Sequence, residues 1–431
     1  MATIGGKITY LDLFAGAGGL SEGFKATGYE SVAHVEMDSD ACNTLKTREC
    51  YYHLKSKDNS DLYFKYLRGE ITRNELYGKV PAKILDSVIC ETMSSDTMPS
   101  IFKKIDAAMQ YHQVKHLDLI LGGPPCQAYS VAGRIRDKNG MRDDYRNYLF
   151  ESYMKIVSYY RPKAFIFENV PGILSAKPGN EGLPIIDRIK KTFEDAHYSV
   201  LEDLSNAIVD MTEYGVPQNR RRIIILGLNR DFYGERCSEL LDKFYNVELP
   251  KLKENTLTVR DAIGDLPALT PLDEPIRWEG RKLSHSLPNP MINGHISRFH
   301  SKRDIDIFRM LEEDIESGRN QYVSTESLKE LYTGLTGRKS NIHKYHVLRW
   351  DEPSNLIPAH LFKDGLRHIH PDSTQARTIT VREAARLQTF PDEYIFHGSQ
   401  TDCFKMIGNA VPPKFAEKAA IALNAVIGDV Q

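Results

Sequence analysis

One stretch decides the fold: Leu119-Ile120-Leu121-Gly122-Gly123-Pro124-Pro125-Cys126-Gln127-Ala128-Tyr129-Ser130. The short apolar run after Asp118 predicts a buried strand. Two glycines and two prolines then end that strand in a sharp turn, with Cys126 at its tip. In open α/β sheets, ligands bind beyond the carboxyl ends of the strands. This position indicates a nucleophilic thiol, and a buried structural cysteine is the alternative.

Length and composition are typical of a soluble globular enzyme with two or three domains. The chain has 431 residues, is 41% hydrophobic and 26% charged, and has no apolar run of about 18 residues that would span a membrane. Its N-terminus lacks the pattern of a signal peptide. Its six cysteines form no CxxC pair, which predicts a reducing, cytoplasmic compartment and disfavours a disulfide framework or a zinc site. The formal net charge of -2 requires any nucleic-acid surface to be a local patch.

The first third of the chain has the pattern strand, glycine turn, helix, strand. Residues 7–14 predict a strand, Ala15-Gly16-Ala17-Gly18-Gly19-Leu20 a turn, and residues 21–28 a helix. The next strand, residues 31–35, ends at Glu36, where an acid is placed to accept hydrogen bonds from ribose hydroxyls. Together these features favour a nucleoside-bearing cofactor. The alternative for Glu36 is a charge at the N-terminus of the following helix, residues 38–46.

Residues 51–116 show no recognisable site. The tyrosine-rich part, residues 51–76, is interpreted as an insertion of unknown role, with a solvated helical elaboration as the alternative. Residues 84–93 predict a strand and residues 101–112 a helix.

A second carboxylate stands at a strand end in the middle of the chain. Residues 131–145 are charged and aperiodic, which predicts a movable lid whose basic side chains contact phosphates or only solvent. Residues 148–160 predict an amphipathic helix, and residues 163–167 a strand that leads into Glu168. A glutamate after so apolar a strand is suited to donate a proton, and a turn or capping carboxylate is the alternative.

Three consecutive arginines follow in Gln218-Asn219-Arg220-Arg221-Arg222. Residues 199–209 and 222–228 predict paired strands on either side of them. Side-chain alternation would place Arg220 and Arg222 on one face and Arg221 on the other. Two guanidinium groups facing an active site would neutralise developing negative charge, and a solvated basic turn is the alternative.

Six ordered blocks of the chain resemble the cytosine-C5 DNA methyltransferase family. They are Asp12-Leu13-Phe14-Ala15-Gly16-Ala17-Gly18-Gly19, Gly122-Gly123-Pro124-Pro125-Cys126-Gln127, Glu168-Asn169-Val170, Gln218-Asn219-Arg220-Arg221-Arg222, Thr380-Val381-Arg382-Glu383-Ala384-Ala385-Arg386-Leu387-Gln388 and Gly408-Asn409-Ala410-Val411-Pro412-Pro413. One block can arise by chance, whereas six blocks in the family's order are not expected by chance in an unrelated protein. The resemblance implies an α/β fold with a doubly wound, mostly parallel sheet of the Rossmann-like methyltransferase type, together with a second, smaller DNA-recognition domain.

The implied domain organisation is discontinuous. Residues 1–270 would form the catalytic and cofactor-binding domain, completed by residues 404–431, and residues 271–403 the target-recognition domain. Residues 259–267 predict a short helix that closes the first domain. The final helix, residues 414–427, is expected to return to that domain.

The resemblance implies S-adenosylmethionine as the cofactor. Phe14 and the glycine turn would hold its adenosine and methionine parts, Glu36 its ribose, and Met37 would lie against the adenine. Glu91, expected after the third strand, is a candidate contact to the adenine amine. The full set of implied cofactor contacts is Phe14, Ala15, Gly16, Gly18, Gly19, Glu36, Met37, Pro125, Leu149 and Asn409.

By the same resemblance, catalysis depends on Cys126, Glu168, Arg222 and Arg220. Addition of the Cys126 thiolate at C6 of cytosine makes C5 nucleophilic. Protonation of N3 by Glu168 and a hydrogen bond from Arg222 to O2 stabilise the charge that develops. The base must be flipped out of the duplex to reach such a site. Two residues match DNA-binding positions of the family. Gln127 would lie at the place in the duplex that the flipped base vacates, and Ser130 would lie at the phosphate of the flipped nucleotide.

The C-terminal half has a mildly positive, histidine-rich segment. Residues 277–370 contain 15 Lys/Arg, 12 Asp/Glu and eight of the 14 histidines. This composition suits a groove-facing surface whose arginines and histidines read the target bases. Residues 381–388 predict a helix with Arg382 and Arg386 one turn apart, which braces the recognition region or contacts phosphate. An ordinary surface helix is the alternative.

The sequence therefore predicts methyl transfer from S-adenosylmethionine to C5 of a cytosine in a specific double-stranded DNA site. We expect a monomeric prokaryotic modification enzyme whose partner is a restriction endonuclease acting on the same site. The rivals are C5 methylation of structured RNA, as in the tRNA branch of the family, and an inactive DNA-binding scaffold. The large variable region favours DNA, and the presence of Cys126, Glu168 and Arg222 disfavours a scaffold.

Overall fold

The computed structural model describes residues 7–125, 149–177, 184–363 and 365–428, which fall into two compact units. The first unit contains the described residues up to Gly215, Arg220–Asn255 and those from Ala410 onward. The second contains Val216–Asn219 and the described part of Thr256–Asn409. The first unit is therefore discontinuous in sequence, and it includes the C-terminal helix.

The strands of the first unit are β1 (Thr9–Leu13), β2 (Glu30–Glu36), β3 (Val88–Cys90), β4 (Leu119–Gly122), β5 (Ala164–Asn169), β6 (Tyr198–Ser199), β7 (Ile208–Asp210) and β8 (Arg221–Asn229). They form one sheet in the order β3-β2-β1-β4-β5-β8-β6, with β7 also paired to β8. The pairs among β1 to β5 are parallel, and those with β8 are antiparallel. The predicted α/β class with a mostly parallel sheet is confirmed.

The α-helices are α1 (Gly19–Ala26), α2 (Ser39–Lys55), α3 (Ser60–Leu67), α4 (Arg73–Tyr77), α5 (Ala82–Asp86), α6 (Met98–Tyr111), α7 (Leu149–Tyr160), α8 (Ile185–Asp195), α9 (Arg230–Tyr233), α10 (Cys237–Asp242), α11 (Val259–Ile263), α12 (Lys302–Glu316), α13 (Thr325–Thr336), α14 (Val381–Leu387), α15 (Gln400–Asn409) and α16 (Pro413–Ile427). Shorter 3₁₀ helices are Pro171–Leu174, Leu204–Ala207, Met211–Tyr214, Gly234–Arg236, Pro250–Leu252 and Gly365–Arg367, and Lys243–Glu248 is a π-helix. No helix in these described ranges is long and apolar enough to cross a membrane.

The centre of the sheet explains why its strands read as unbroken apolar runs. Every residue of β1, β4 and β5 is buried. A parallel strand covered on both faces needs apolar side chains at all positions rather than at alternate ones. The strands predicted around residues 7–14, 31–35, 119–122 and 163–167 are confirmed for this reason.

Helix α1 packs closely against the C-terminal helix α16. A Cβ atom on Gly23 would lie 2.5 Å from the Pro413 carbonyl oxygen, and one on Gly19 would lie 2.1 Å from the Val411 carbonyl oxygen. Any larger residue at either position would push the two helices apart. The glycines of this part of the chain therefore serve helix packing as well as the turn that precedes them.

Two predicted strands are wrong in extent. Residues 84–93 contain only β3, because the chain before it forms α5, where Leu85 packs on the tyrosine-rich cluster. Residues 199–209 are interrupted between β6 and β7, because the Asp203 carboxylate accepts a hydrogen bond from Ser205 N at 2.9 Å and starts a 3₁₀ turn. Local side-chain hydrogen bonding has overridden the apolar pattern there.

The tyrosine-rich insertion has a core of its own. Its helices α2 to α4 enclose a cluster made of Cys50, Tyr51, Leu54, Tyr63, Leu76 and Val80. Tyr63 is fully buried at its centre. The insertion is therefore a packed helical layer rather than a solvated one.

The second unit combines a hairpin with helices. Strands β9 (Pro271–Trp278) and β10 (Arg281–His285) are antiparallel. The predicted helix at residues 259–267 forms as α11 but belongs to this unit, where it packs on α14, so it does not close the first domain. Its boundary is set by a capping box between Thr258 and Asp261.

Candidate active site

The turn after β1 is held in an unusual backbone conformation. Phe14, Gly16 and Gly18 have φ values of 56°, 55° and 77°, and for Phe14 this left-handed region is strained. Backbone hydrogen bonds from Ala15 N to Val35 O (3.2 Å) and from Gly18 N to Ala15 O (2.8 Å) fix the turn. A Cβ on Gly16 would meet none of the residues that the structure describes within 4 Å, so among these residues the backbone of the turn is uncovered.

Glu36 is joined directly to this turn. Its Oε2 accepts from Gly16 N at 2.8 Å, and its Oε1 accepts from Met37 N and Asp38 N, both at 2.9 Å. A carboxylate has about four acceptor positions, so one on Oε2 is left for a ligand hydroxyl. Burial raises the pKa of Glu36, although the three N–H donors oppose the shift. Both predicted roles are compatible, because Glu36 also sits just ahead of helix α2.

The residues predicted beside the cofactor lie around this point. Met37 is 56% exposed, which leaves an apolar side chain free to meet a ligand. Glu91 directly follows β3, and its backbone N donates to Glu36 O at 2.9 Å. Its carboxylate pairs with Lys104 and accepts from Ser100. Its contact with adenine remains a prediction.

A second group of polar residues lies at the ends of β5 and β8. Arg222 Nε lies 3.0 Å from Glu168 Oε1 in an ion pair, and each side chain is 12% exposed. Asn169 Nδ2 donates to Pro124 O at 3.3 Å, which ties the end of β5 to the chain that leaves β4. The structure thus brings Glu168 and Arg222 together beside Gly123 and Pro124.

Two features here were not found from the sequence. A Cβ on Gly123 would lie 2.7 Å from Glu168 Oε2, so the absence of a side chain at 123 makes room for the carboxylate. Asn169 appears in a family block but was given no role. The register of β4 and β5, in which Gly122 pairs with Phe167, is what places Gly123 beside Glu168. The sequence alone does not give that register.

The three arginines have different surroundings. Arg221 is exposed, whereas Arg220 is buried and its Nη2 donates to Ala410 O at 2.7 Å. Burial, and then the charge of Arg222, lower the pKa of Arg220 well below its ordinary value. Arg220 and Arg222 both interact electrostatically with Glu168, whereas Arg221 is exposed, which agrees with the predicted placement of Arg220 and Arg222 on one face. The catalytic role given to Arg220 stays a prediction.

A comparison with protein families matches nearly the whole chain. The family model described as C-5 cytosine-specific DNA methylase matches residues 8–81 and 74–425. The chain belongs to this family. It is therefore an enzyme, a DNA (cytosine-5-)-methyltransferase.

Relatives of this methyltransferase have similar lengths. It is 37% identical to the Type II methyltransferase M.Bpa9945I of Bacillus paralicheniformis, over 97% of this chain and 98% of that one. It is 29% identical to the Type II methyltransferase M.AgeI of Thalassovita gelatinovora, over 97% of this chain and 99% of that one. A putative DNA modification methyltransferase encoded within an E. coli prophage shares the fold, with a TM-score of 0.60 and 23% identity over 98% and 100% of the two chains.

Several predicted site residues of the methyltransferase are not tested by this geometry. Cys126, Gln127 and Ser130, together with the lid at residues 131–145, lie outside the described residues. Pro125 is exposed, and Leu149 is buried at the start of α7. Asn409 is exposed at the end of α15, in the second unit. Among the described residues, no group of three or more His, Cys, Asp or Glu side chains is arranged to hold a metal ion.

The histidines expected to read DNA bases are mostly part of the core of the second unit. The buried ones are His285, His295, His300, His368 and His370. His285 Nε2 lies 2.8 Å from Gln375 O, and His295 Nδ1 lies 3.1 Å from Thr380 Oγ1. Burial lowers the pKa of His300 and His370 to about 3, so both are neutral. The histidine part of the groove prediction is wrong for these five, because tertiary packing encloses them.

The helix with two arginines is not a surface helix. Six of the seven residues of α14 are buried. The Arg382 guanidinium donates to the carbonyl oxygens of Asn293, Pro391 and Tyr394. Arg386 pairs with Asp265 and Asp392. These bonds support the predicted bracing role.

Proposed function

We propose that this methyltransferase flips a cytosine out of a specific double-stranded DNA site and methylates C5 through a covalent Cys126–C6 adduct, with S-adenosylmethionine as methyl donor. The observation that supports this best is the Glu168–Arg222 pair, 3.0 Å apart, at the end of the strand next to the Gly123-Pro124-Pro125 turn that leads to Cys126. A proton donor and a cation beside a thiol are the groups that addition to a pyrimidine ring requires.

The turn after β1 fits S-adenosylmethionine. Glu36 has an acceptor position left for a ribose hydroxyl, Met37 offers exposed apolar surface for a purine, and no described residue covers Gly16. When bound, this cofactor supplies the methyl group as an electrophile on a sulfonium. Phe14, the glycine turn, Glu36 and Met37 would hold it, and Pro125, Leu149 and Asn409 are the further contacts proposed.

The protein's own groups then act on the base. The Cys126 sulfur donates an electron pair to C6, and the density moves through the ring to C5. Glu168 gives a proton to N3, while Arg222 donates a hydrogen bond to O2, so that charge developing on the ring is neutralised. After C5 is methylated, N3 returns its proton to Glu168 and a water acting as base removes the C5 proton. That electron pair re-forms the C5–C6 double bond and expels the Cys126 thiolate. Gln127 would occupy the vacated place in the duplex, and Ser130 would contact the flipped phosphate.

The biological setting is a further part of the proposal. Relatives spanning almost the whole chain are named Type II methyltransferases. We infer that this enzyme is the modification partner of a restriction endonuclease that acts on the same site, that it acts as a monomer, and that it works in a prokaryotic cytoplasm.

Covalent trapping tests the mechanism. A duplex with 5-fluorocytosine at the target should form a stable adduct with the wild type in the presence of S-adenosylmethionine, because fluorine at C5 cannot leave as a proton. Cys126→Ser should form none while keeping its affinity for S-adenosylhomocysteine, and the matched control Cys403→Ser should still form the adduct. Loss of cofactor binding in Cys126→Ser would indicate a structural cysteine instead. No adduct with the wild type on duplexes covering its site would favour a scaffold.

The substrate is tested separately. Bisulfite sequencing of plasmid DNA from cells that express the protein should show 5-methylcytosine in one sequence context. Tritiated methyl transfer to DNA and to folded RNA, measured side by side, distinguishes the two polymers. Methylation of RNA alone would overturn the DNA proposal.

A further inference from the structure

A buried network of charged side chains lies directly behind the turn proposed to hold the cofactor. It is centred on His34, in the middle of β2, and includes Asp12 from β1, Ser21 and Lys25 from α1, and Glu49 from α2. All five residues belong to the first unit. The side chains of His34 and Asp12 are each 1% exposed, and those of Lys25 and Glu49 are 8% and 11% exposed.

The imidazole of His34 is bonded on both sides. Its Nε2 lies 2.9 Å from Glu49 Oε1, which also accepts from Lys25 Nζ. Its Nδ1 lies 3.3 Å from Ser21 Oγ and 3.9 Å from Asp12 Oδ2. Ser21 Oγ in turn donates to Asp12 Oδ2 at 2.7 Å. The network therefore runs from Glu49 through His34 and Ser21 to Asp12.

The Ser21 hydroxyl has a single proton, and this makes the network depend on the charge of His34. When both imidazole nitrogens carry protons, Nε2 donates to Glu49 and Nδ1 donates to Ser21 Oγ, which is then free to donate to Asp12. When His34 is neutral with its proton on Nε2, Nδ1 becomes an acceptor and competes with Asp12 for the Ser21 proton. The Ser21 hydroxyl then satisfies either Asp12 or Nδ1 but not both, and a proton on Nδ1 instead would leave the lone pair of Nε2 facing the Glu49 carboxylate. All three contacts form together only with a charged imidazole.

The charges around His34 favour the imidazolium. Asp12 and Glu49 are negative and Lys25 is positive, so a charged His34 makes the cluster neutral, whereas a neutral one leaves an excess negative charge buried. The neighbouring Glu22–Arg48 pair of α1 and α2, with Tyr52 donating to Glu22, is neutral by itself. Tyr10 of β1 donates to Ser21 O, and Ser87, which lies between α5 and β3, contributes the carbonyl that accepts from His34 N.

This network joins both ends of the turn to the strand that contacts it. Asp12 precedes the turn and Ser21 follows it, so the 2.7 Å bond between them closes the segment that contains Phe14, Gly16 and Gly18. His34 precedes Val35, whose carbonyl accepts from Ala15 N, and Glu36, whose carboxylate accepts from Gly16 N. Three hydrogen bonds therefore link the turn to the residues around His34: Ser21 to Asp12, Ala15 N to Val35 O, and Gly16 N to Glu36.

We propose that Ser21 and His34 are positioning residues for the cofactor turn, and that the proton on His34 holds the turn in its binding conformation. This inference rests on the proposed cofactor site. Cofactor affinity is then highest while His34 is charged and falls at alkaline pH.

The sign follows from the groups around the ring. Burial alone would lower the pKa of His34, but the nearby Asp12 carboxylate and the hydrogen bond to the negatively charged Glu49 outweigh burial and raise it. Because the pKa of His34 is raised when the turn is in its binding conformation, forming that conformation favours uptake of a proton. The contribution of His34 to cofactor affinity is therefore complete below the ordinary pKa of histidine and is lost as pH rises through the raised pKa. On the acid side, protonation of Glu36 sets a separate limit, because it removes an acceptor.

The test is the dissociation constant of S-adenosylhomocysteine, measured calorimetrically from pH 6 to 9.5 in the full-length protein. We compare the wild type with His34→Gln and with a matched control, His116→Gln, whose imidazole is exposed. The ligand's amino group is the same in all three measurements. A difference between the proteins in the pH dependence of the dissociation constant therefore comes from the substituted histidine. Each unit of pKa difference between the bound and free protein corresponds to a tenfold change in the constant.

We expect binding to the wild type and the control to weaken by about tenfold more than binding to His34→Gln between pH 7 and 9.5. Ser21→Ala, which removes only the hydroxyl, should bind about tenfold more weakly at pH 7 and lose most of its pH dependence; it keeps the test open if His34→Gln does not fold. Parallel pH profiles in all variants that fold would overturn the inference. A wild type that binds no S-adenosylhomocysteine at any pH would refute the cofactor site itself.

Discussion

Arg222 Nε and Glu168 Oε1 lie 3.0 Å apart, at the ends of two antiparallel neighbouring strands. Solvent-exposed ion pairs contribute little to stability, whereas this pair has only 12% of each side chain exposed. Its main effect is to fix where a carboxyl group and a guanidinium face the space beyond the sheet. The predictions about catalysis follow from that geometry.

Glu168→Gln should lower the rate of methyl transfer by about 10²- to 10⁴-fold, the range typical of a lost proton donor. The amide keeps the size of the carboxyl and can still accept from Arg222, so folding should be preserved. Single-turnover transfer of a tritiated methyl group measures the effect, with the exposed Glu202→Gln as control. A rate within threefold of the wild type would remove Glu168 from the mechanism.

Gly123→Ala should damage catalysis through Glu168. The added Cβ would lie 2.7 Å from Glu168 Oε2, and the carboxylate can rotate away more cheaply than the backbone can move. We expect a loss of about 10² in rate, with the free energy of unfolding changed by less than ~1 kcal/mol. Gly334→Ala, where a Cβ meets no described residue within 4 Å, is the matched control. If the mechanism is right, the double variant with Glu168→Gln is no slower than Glu168→Gln alone.

Glu312→Gln should stabilise the second unit at alkaline pH. The Glu312 side chain is fully buried in α12, and neither carboxylate oxygen has a hydrogen-bond partner among the described residues. Burial, with the nearby Glu316 and Asp372, raises the pKa of Glu312 to about 9. The folded protein therefore holds a proton that the unfolded chain releases above about 4.3, so folding becomes less favourable as pH rises between these values.

Tryptophan fluorescence can follow this effect in one unit alone. Both tryptophans of the chain, Trp278 and Trp350, belong to the second unit. In urea titrations we expect Glu312→Gln to be more stable than the wild type by up to a few kcal/mol at pH 8, with the gap closing toward pH 5. The exposed Glu326→Gln should show no gap. A gap that does not vary with pH would mean that Glu312 is ionised in the folded state.

The hairpin of the second unit should contribute to the salt dependence of DNA binding. Arg277 and Lys282 are exposed and directly opposite each other on β9 and β10, an arrangement that repels unless an anion lies between them. Replacing both with alanine should reduce the slope of log affinity against log salt by roughly 2, since each lost phosphate contact removes about 0.9. Lys57→Ala with Lys79→Ala removes the same charge from the first unit and should leave the slope unchanged. An unchanged slope in the hairpin variant would exclude phosphate contact there.

The sequence was informative wherever chemistry and local geometry coincide. Strand β4 was evident from its apolar run, and Glu36 and Glu168 were found because each is a carboxylate at the end of such a run. The histidines of residues 277–370 were misread, because composition cannot tell an enclosed imidazole from an exposed one. The strands predicted at residues 84–93 and 199–209 are shorter in the structure. Packing of helix α5 shortens the first, and a side-chain hydrogen bond of Asp203 interrupts the second.

The sequence by itself determined the family, the α/β class and the identity of the groups at strand ends, because these depend on residue type and on spacing along the chain. Only the tertiary structure decided that Gly123 leaves room for the Glu168 carboxylate and that His34 lies between Asp12 and Glu49. Those contacts join residues from different strands and helices. They exist only after the register of the sheet and the packing of α1, α2 and α16 have brought distant parts of the chain together.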